Sequence, residues 1–322
     1  MVRCGDFLLT RLEDFGLCTL EDCNGGLLLF STRTELIISD PMRHHLVPIQ
    51  RARQRGFPDH GYAAHTFCLL PDLTTGGSKA ACFRVISLQQ RGQVVRAEAE
   101  AASFRIISLR QHWHVVRAEV FDSGTKSWSI HPVTGTALQL ARSKGNQFFQ
   151  AMHAAGRIYW KNRTEPILLA LDTKAMRFHH LLAPPGVTSR SPYAVGETDD
   201  GACCLVHVAH AHGHPDGGYP RLQVWLHGVD DEEVQPWVLE RDVPLRLRPT
   251  SVSRGKVRQV CAVAGGVVLL SFTSLSSHLP HVAFRLKNLE VEAEFTCNGL
   301  ARPYLLDPMV FFRDHQFVYP EE

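Results

Sequence analysis

Val120-Phe121-Asp122-Ser123-Gly124-Thr125-Lys126-Ser127-Trp128 is an apolar run that ends on Asp, passes five residues and resumes on an aromatic. A strand that stops at Asp, turns and restarts in this way is a hairpin. The phrase returns as Leu169-Ala170-Leu171-Asp172 leading to Phe178, and as Trp225-Leu226 with Asp231 leading to Trp237. A weaker copy runs Ile37-Ile38-Ser39-Asp40 to Leu46. Hairpins repeated along one chain predict a repeat architecture of β-blades.

A second signal is that several apolar runs begin just after glycine. Gly25-Gly26 precedes Leu27-Leu28-Leu29-Phe30, Gly156 precedes Ile158-Tyr159-Trp160, Gly201 precedes Cys203-Cys204-Leu205-Val206, and Gly265-Gly266 precedes Val267-Val268-Leu269-Leu270. Glycine there suits a tight turn into a central strand, close to an axis where backbone is crowded. The two signals together draft five blades over residues 20–50, 61–132, 148–184, 192–243 and 257–297, the last with Asn288 and Phe295 in place of Asp and Trp. Strand-like material remains at both ends, in Phe7-Leu8-Leu9, Tyr304-Leu305-Leu306 and Met309-Val310-Phe311-Phe312. Pairing the termini in one blade removes exposed edges. The fold class is therefore an all-β propeller of six blades, closed by pairing of N- and C-terminal strands, with five or seven blades as alternatives.

Spacing exposes an interruption. Asp122, Asp172 and Asp231 are 50 and 59 residues apart, near the period of about 50 of kelch-type blades, whereas Asp40 and Asp122 are 82 apart. The segment Phe83-Arg84-Val85-Ile86-Ser87-Leu88 through Arg96-Ala97-Glu98 reappears 21 residues later as Phe104-Arg105-Ile106-Ile107-Ser108-Leu109 through Arg117-Ala118-Glu119, identical at 11 of 16 positions. Removing one unit restores a spacing of 61. The chain thus reads as one propeller domain over 1–322 with a tandem-duplicated insertion around 83–119. Only the second copy continues into Val120-Phe121-Asp122, so one copy should supply blade strands and the other an extra hairpin, a bulged loop or a helix through 97–102.

Several phrases, in this order, resemble the F-box-associated β-propeller family of plants. They are Cys23-Asn24-Gly25-Gly26-Leu27-Leu28-Leu29 with Asp40-Pro41, Val120-Phe121-Asp122 through Trp128, Ala155-Gly156-Arg157-Ile158-Tyr159-Trp160, and Ile167-Leu168-Leu169-Ala170-Leu171-Asp172. The resemblance covers roughly residues 20–300. It implies the substrate-receptor part of an SKP–cullin–F-box ubiquitin ligase, in which an F-box docks the adaptor and the propeller presents a target. Residues 1–20 hold no Leu-Pro-rich helical segment, so no F-box is detected and SKP-type adaptor binding is doubtful for this chain.

Bulk properties set further bounds. Lys plus Arg number 34 and Asp plus Glu 32, a net charge of +2 that gives no broad attraction to nucleic acid or membrane. Local arginines (Arg51, Arg53, Arg55; Arg241, Arg246, Arg248, Arg254) read as solvated loops. No stretch approaches the roughly 18 apolar residues of a membrane span. Nine scattered cysteines without a CxxC pair, and no signal peptide, predict reduced thiols in a cytoplasmic or nuclear protein, with the Asn162-Arg163-Thr164 sequon a chance match.

The groups able to do chemistry sit in loop, turn or strand sequence that gives each a plainer role. His207, His210, His212 and His214, with Asp216, have spacing that suits zinc, but they read as a drifted loop between strands. His44-His45 and His179-His180 alternate across strand faces, and the repeated aspartates cap their own turns while the aromatics pack between blades. Asp199-Asp200 and Asp230-Asp231-Glu232-Glu233 supply carboxylates of the kind glycosidases pair, yet sit in turn-like sequence. No G-x-S-x-G, P-loop or H-E-x-x-H occurs. The expectation is a non-catalytic protein-interaction propeller for an unknown protein target, with no catalytic, cofactor or metal residues and no cofactor. The alternatives are a metal-dependent or glycosidase-type enzyme, or a truncated non-functional paralogue.

Overall fold

The computed structural model describes residues 18–24, 27–32, 34–40, 45–50, 64–71, 89–90, 93–94, 104–112, 115–132, 148–209, 219–227, 237–246, 256–274 and 279–297. Among these, every regular element is a β-strand, and no helix is long and apolar enough to cross a membrane. The strands form five four-stranded antiparallel sheets and one two-stranded ladder. Blade one is β1 (Thr19–Asn24), β2 (Leu27–Ser31), β3 (Glu35–Asp40) and β4 (His45–Gln50). Blade two holds β5 (Ala64–Pro71), β8 (Phe104–His112), β9 (Val115–Asp122) and β10 (Ser127–Pro132), interrupted by the pair β6 (Gln89–Gln90) and β7 (Gln93–Val94). Blade three runs β11 (Phe148–Ala154), β12 (Arg157–Asn162), β13 (Ile167–Asp172) and β14 (Arg177–Leu182). Blade four runs β15 (Tyr193–Glu197), β16 (Cys203–Ala209), β17 (Arg221–Leu226) and β18 (Val238–Pro244), and blade five β19 (Val257–Ala264), β20 (Val267–Phe272), β21 (Leu279–Arg285) and β22 (Val291–Cys297).

The expected six blades are corrected to five among the described residues. The sixth rested on runs 7–9, 304–306 and 309–312, which lie outside those residues, as does the expected pairing of the termini. The duplication resolves in favour of the second copy. Phe104–Glu119 supplies β8 and most of β9, while in the first copy Gln89–Gln90 pairs with Gln93–Val94 as a separate short hairpin.

Each blade's first strand packs on the first strands of its neighbours, β1 on β5, β5 on β11, β11 on β15 and β15 on β19, so these five line the axis. This corrects the sequence reading of the glycine turns. The glycine-led strand is second from the axis, and the glycines turn the chain into it from the axial strand, with Gly156, Gly201 and Gly266 at φ +71°, +83° and +72°. The crowding itself falls at Gly196 on β15, where a Cβ would lie 2.0 Å from the Val263 carbonyl oxygen of β19.

Middle strands read as unbroken apolar runs because a neighbouring blade covers each of their faces. β2 and β13 are buried almost throughout, whereas β18 is exposed over its first three residues and half-buried over the other four. Leu29, Leu36 and Ile38 of blade one meet Leu69, Ile106 and Phe121 of blade two. Cys68, Ile107 and Val120 of blade two meet Ile158, Trp160 and Leu171 of blade three, and a larger cluster joins blades three, four and five.

Candidate functional site

The strand directions sort the connections onto two faces. Turns between strands one and two, and between three and four, share one face; the connections between strands two and three and between blades share the other. The first face is stapled by local hydrogen bonds. Asp122 Oδ1 accepts from the Thr125 amide at 2.9 Å, and Asp172 Oδ1 accepts from the Lys174 and Ala175 amides at 2.9 and 2.7 Å. Asn288 Oδ1 accepts from the Glu290 amide at 3.2 Å in the same place of blade five. Glu197 Oε1 accepts from the Ala155 amide at 2.7 Å, and Arg105 donates to the Thr173 carbonyl at 3.0 Å, which ties turns of adjacent blades together. The repeated aspartates are turn caps, as the spacing predicted; the Asp40 side chain and Asp231 lie outside the described residues.

The aromatics of the phrase join blades. Trp128 Nε1 donates to the Gln50 carbonyl at 3.1 Å, and Trp237 Nε1 donates to the Leu182 carbonyl at 2.9 Å. Gln50 and Leu182 are the last residues of β4 and β14, so both indoles clasp the end of the preceding blade's outer strand. Phe178 packs instead into the core between blades two and three.

The other candidates scatter. His207 is buried in β16 with Nδ1 3.0 Å from Gln223 Oε1, while His210, His212, His214 and Asp216 lie outside the described residues. So do His44, the His45 side chain, Asp230 to Glu233, Arg51, Arg53, Arg55, Arg248 and Arg254. His179 and His180 are half-buried on β14; burial and the nearby Arg157 hold His179 below the usual imidazole range. Asp200 accepts from the Thr198 hydroxyl in the exposed turn 198–202, and that bond lowers its pKa. Asn162 of the sequon is fully buried and its Oδ1 accepts from the amides of Thr164 and Glu165 at 2.8 and 3.0 Å, a turn cap. The Cys203 thiol is buried and pushed up to about 11 by desolvation, which keeps it protonated.

Two arrangements at the axis were not legible in the sequence. On one level Asp22 of β1, Cys68 of β5 and His153 of β11 place one donor atom each within 4.8 Å of one another. His153 Nε2 lies 2.8 Å from Asp22 Oδ2, which also accepts from the Leu69 amide at 2.8 Å, while Asp22 Oδ1 accepts from the Cys23 amide at 2.8 Å. Elsewhere Gln150, at a β-bulge with φ +51°, reaches from blade three to blade five. Its Nε2 donates to the Cys261 carbonyl and its Oε1 accepts from Gln259, each at 3.3 Å. No short motif encodes either group, since each is assembled from separate blades. Between blades three and four, Lys161 is buried; its Nζ donates to the Tyr193 carbonyl and sits 4.1 Å from the Tyr193 ring centroid. Desolvation lowers its pKa to about 7.

The fold and site define a β-propeller whose axial strands carry two groups of side chains hydrogen-bonded between blades. The sequence profile of the family described as F-box protein AT5G49610-like, beta-propeller, matches residues 63–257, from blade two to the start of blade five. The chain belongs to this family. No curated protein matches it. Solved structures with some likeness include a candidate 6-phosphogluconolactonase from Bacteroides fragilis (8% identity, 87% of this chain and 70% of that one, TM-score 0.38). Others are a post-proline cleaving enzyme from Rickettsia typhi (9%, 92% and 47%, TM-score 0.34) and a puromycin-hydrolyzing peptidase from Mycobacterium tuberculosis (13%, 86% and 43%, TM-score 0.35). The chain spans less than half the length of the two peptidases, and none of these values supports an inference about activity.

Proposed function

We propose that this chain is a non-catalytic substrate-receptor propeller of the kind used by SKP–cullin–F-box ubiquitin ligases, acting inside the cell on a protein target. The observation that carries the reading is the family match across blades two to four. Its support from the geometry is where the long connections leave the propeller. Connections 51–63, 133–147, 183–192 and 210–220 all leave on the face opposite the turns capped at Asp122 and Asp172, and long surface connections are where sequence varies at least cost. Residues 1–322 act as one propeller unit in this reading, with the duplicated segment an insertion in blade two.

The test is a graft. The chain is fused behind a functional F-box and expressed with a proximity label, and the ubiquitylated proteins are compared with those of the F-box alone. The expected result is a protein whose ubiquitylation depends on the propeller. It should disappear when 133–147 and 210–218 are replaced by Gly-Ser segments and persist when 123–126 is so replaced. No propeller-dependent target, or a hydrolase turnover by the purified chain, refutes the proposal.

A further inference from the structure

We propose that Asp22, Cys68 and His153 form a binding site for zinc, or a divalent cation of similar softness, on the propeller axis. Among the described residues they are the set of three such donors that converge, and they come from the axial strands of blades one, two and three. A carboxylate, a thiolate and an imidazole are the mixed donor set that zinc accepts.

The geometry is close to that needed. With zinc-to-ligand distances of about 2.0–2.3 Å, tetrahedral donors stand about 3.3–3.8 Å apart. The three donor atoms already lie within 4.8 Å of one another, and the 2.8 Å contact between His153 Nε2 and Asp22 Oδ2 opens by under about an ångström when a cation enters. Cys68 is fully buried and Asp22 nearly so, while the His153 side chain is 24% exposed and gives a path for the ion.

The surroundings orient the ligands. The Leu69 and Cys23 amides fix both oxygens of Asp22, so β5 supplies one ligand through Cys68 and positions another through the next residue. His153 Nδ1 is buried with no hydrogen-bond partner, which leaves the ring a second nitrogen able to carry its proton. Binding exchanges the thiol proton of Cys68 for the metal: the S–H bond breaks, a metal–sulfur bond forms, and one proton leaves to solvent. His153 ligates through Nε2 as a neutral imidazole that carries its proton on Nδ1. Three protein ligands leave a fourth position for water.

The test uses the full chain with zinc alone as the probe. Metal-free protein is titrated with Zn2+ against a chromophoric chelator, and alkylation of Cys68, buried in the native chain, is followed by mass spectrometry in partly denaturing urea with and without zinc. We expect one equivalent bound, protection of Cys68, and a rise in Tm with zinc. Cys68→Ser and His153→Gln should each weaken binding by more than about ten-fold, while His210→Ala/His212→Ala keeps it. Circular dichroism checks the fold of each variant; should both ligand variants unfold, protection of Cys68 in the wild-type chain decides. A folded wild-type chain that takes up no zinc, zinc uptake that leaves Cys68 open to alkylation, or uptake lost only in His210→Ala/His212→Ala overturns the proposal.

Discussion

Replacing Lys161 with methionine keeps the volume that the side chain fills between blades three and four and removes its charge. The ammonium is buried, and desolvation brings its pKa from 10.5 to about 7. Between those two values the unfolded chain holds the proton and the folded chain does not, so stability rises with pH through that window. Below about pH 7 both states are protonated and the whole penalty is present. At about 1.36 kcal/mol per pH unit the gap sets a ceiling of about 5 kcal/mol. The Tyr193 carbonyl and ring both favour the cation, and reduce the expected net penalty to roughly 2–3 kcal/mol. Urea melts of wild type and Lys161→Met at pH 6.5, 8 and 9.5 measure this directly. The variant should be more stable near pH 7 by about 2–3 kcal/mol, with the difference shrinking as pH rises. A variant less stable than wild type by an amount that does not change with pH refutes the reasoning, because the buried cation would then be a net stabilising contact.

Gly196→Ala forces a Cβ to within 2.0 Å of the Val263 carbonyl oxygen and should destabilise by about 3 kcal/mol or more, read as a fall in Tm. Gly201→Ala, which meets nothing within 4 Å but sits at φ +83°, should lose only about 1 kcal/mol in the same assay. Trp237→Phe keeps most of the ring and leaves the Leu182 carbonyl without its 2.9 Å donor, a loss of about 1 kcal/mol in urea melts. Asp172→Ala removes the single oxygen that accepts from both the Lys174 and Ala175 amides in an exposed turn, and should reduce stability by about 0.5–1.5 kcal/mol without altering the circular dichroism spectrum.

What was legible in the sequence is what each blade repeats locally. Glycine at positive φ, Asp capping its own turn, and an aromatic restarting the strand act within about twenty residues, and they gave blade limits close to β1–β4, β11–β14 and β19–β22. The axial strands carry no such phrase. β1, β11 and β19 are bulged at Leu20/Asp22, Phe149/Ala151 and Val257/Gln259, so their period of two is broken and their inward residues could not be counted off. The axial cluster is therefore invisible in one dimension: Asp22, Cys68 and His153 meet only after three blades have packed. Terminal runs at 7–9 and 304–312 look like strands by composition, and it was the pairing of termini common in propellers that turned them into a sixth blade.

The duplicated segment sets two nearly identical candidates against one place in blade two. Ile86 and Leu88 of the first copy could fill the positions held by Ile107 and Leu109, and the first copy needs a far shorter connection from β5, which ends at Pro71. The residues just C-terminal to each copy decide between them. Behind the second stand Val120 and Phe121, both buried, and Asp122 with its cap; behind the first stand Ala99, Glu100 and Ala101. Deleting residues 83–103 would leave one candidate for that place and join β5 to β8 through residues 72–82 alone, a shorter loop to close.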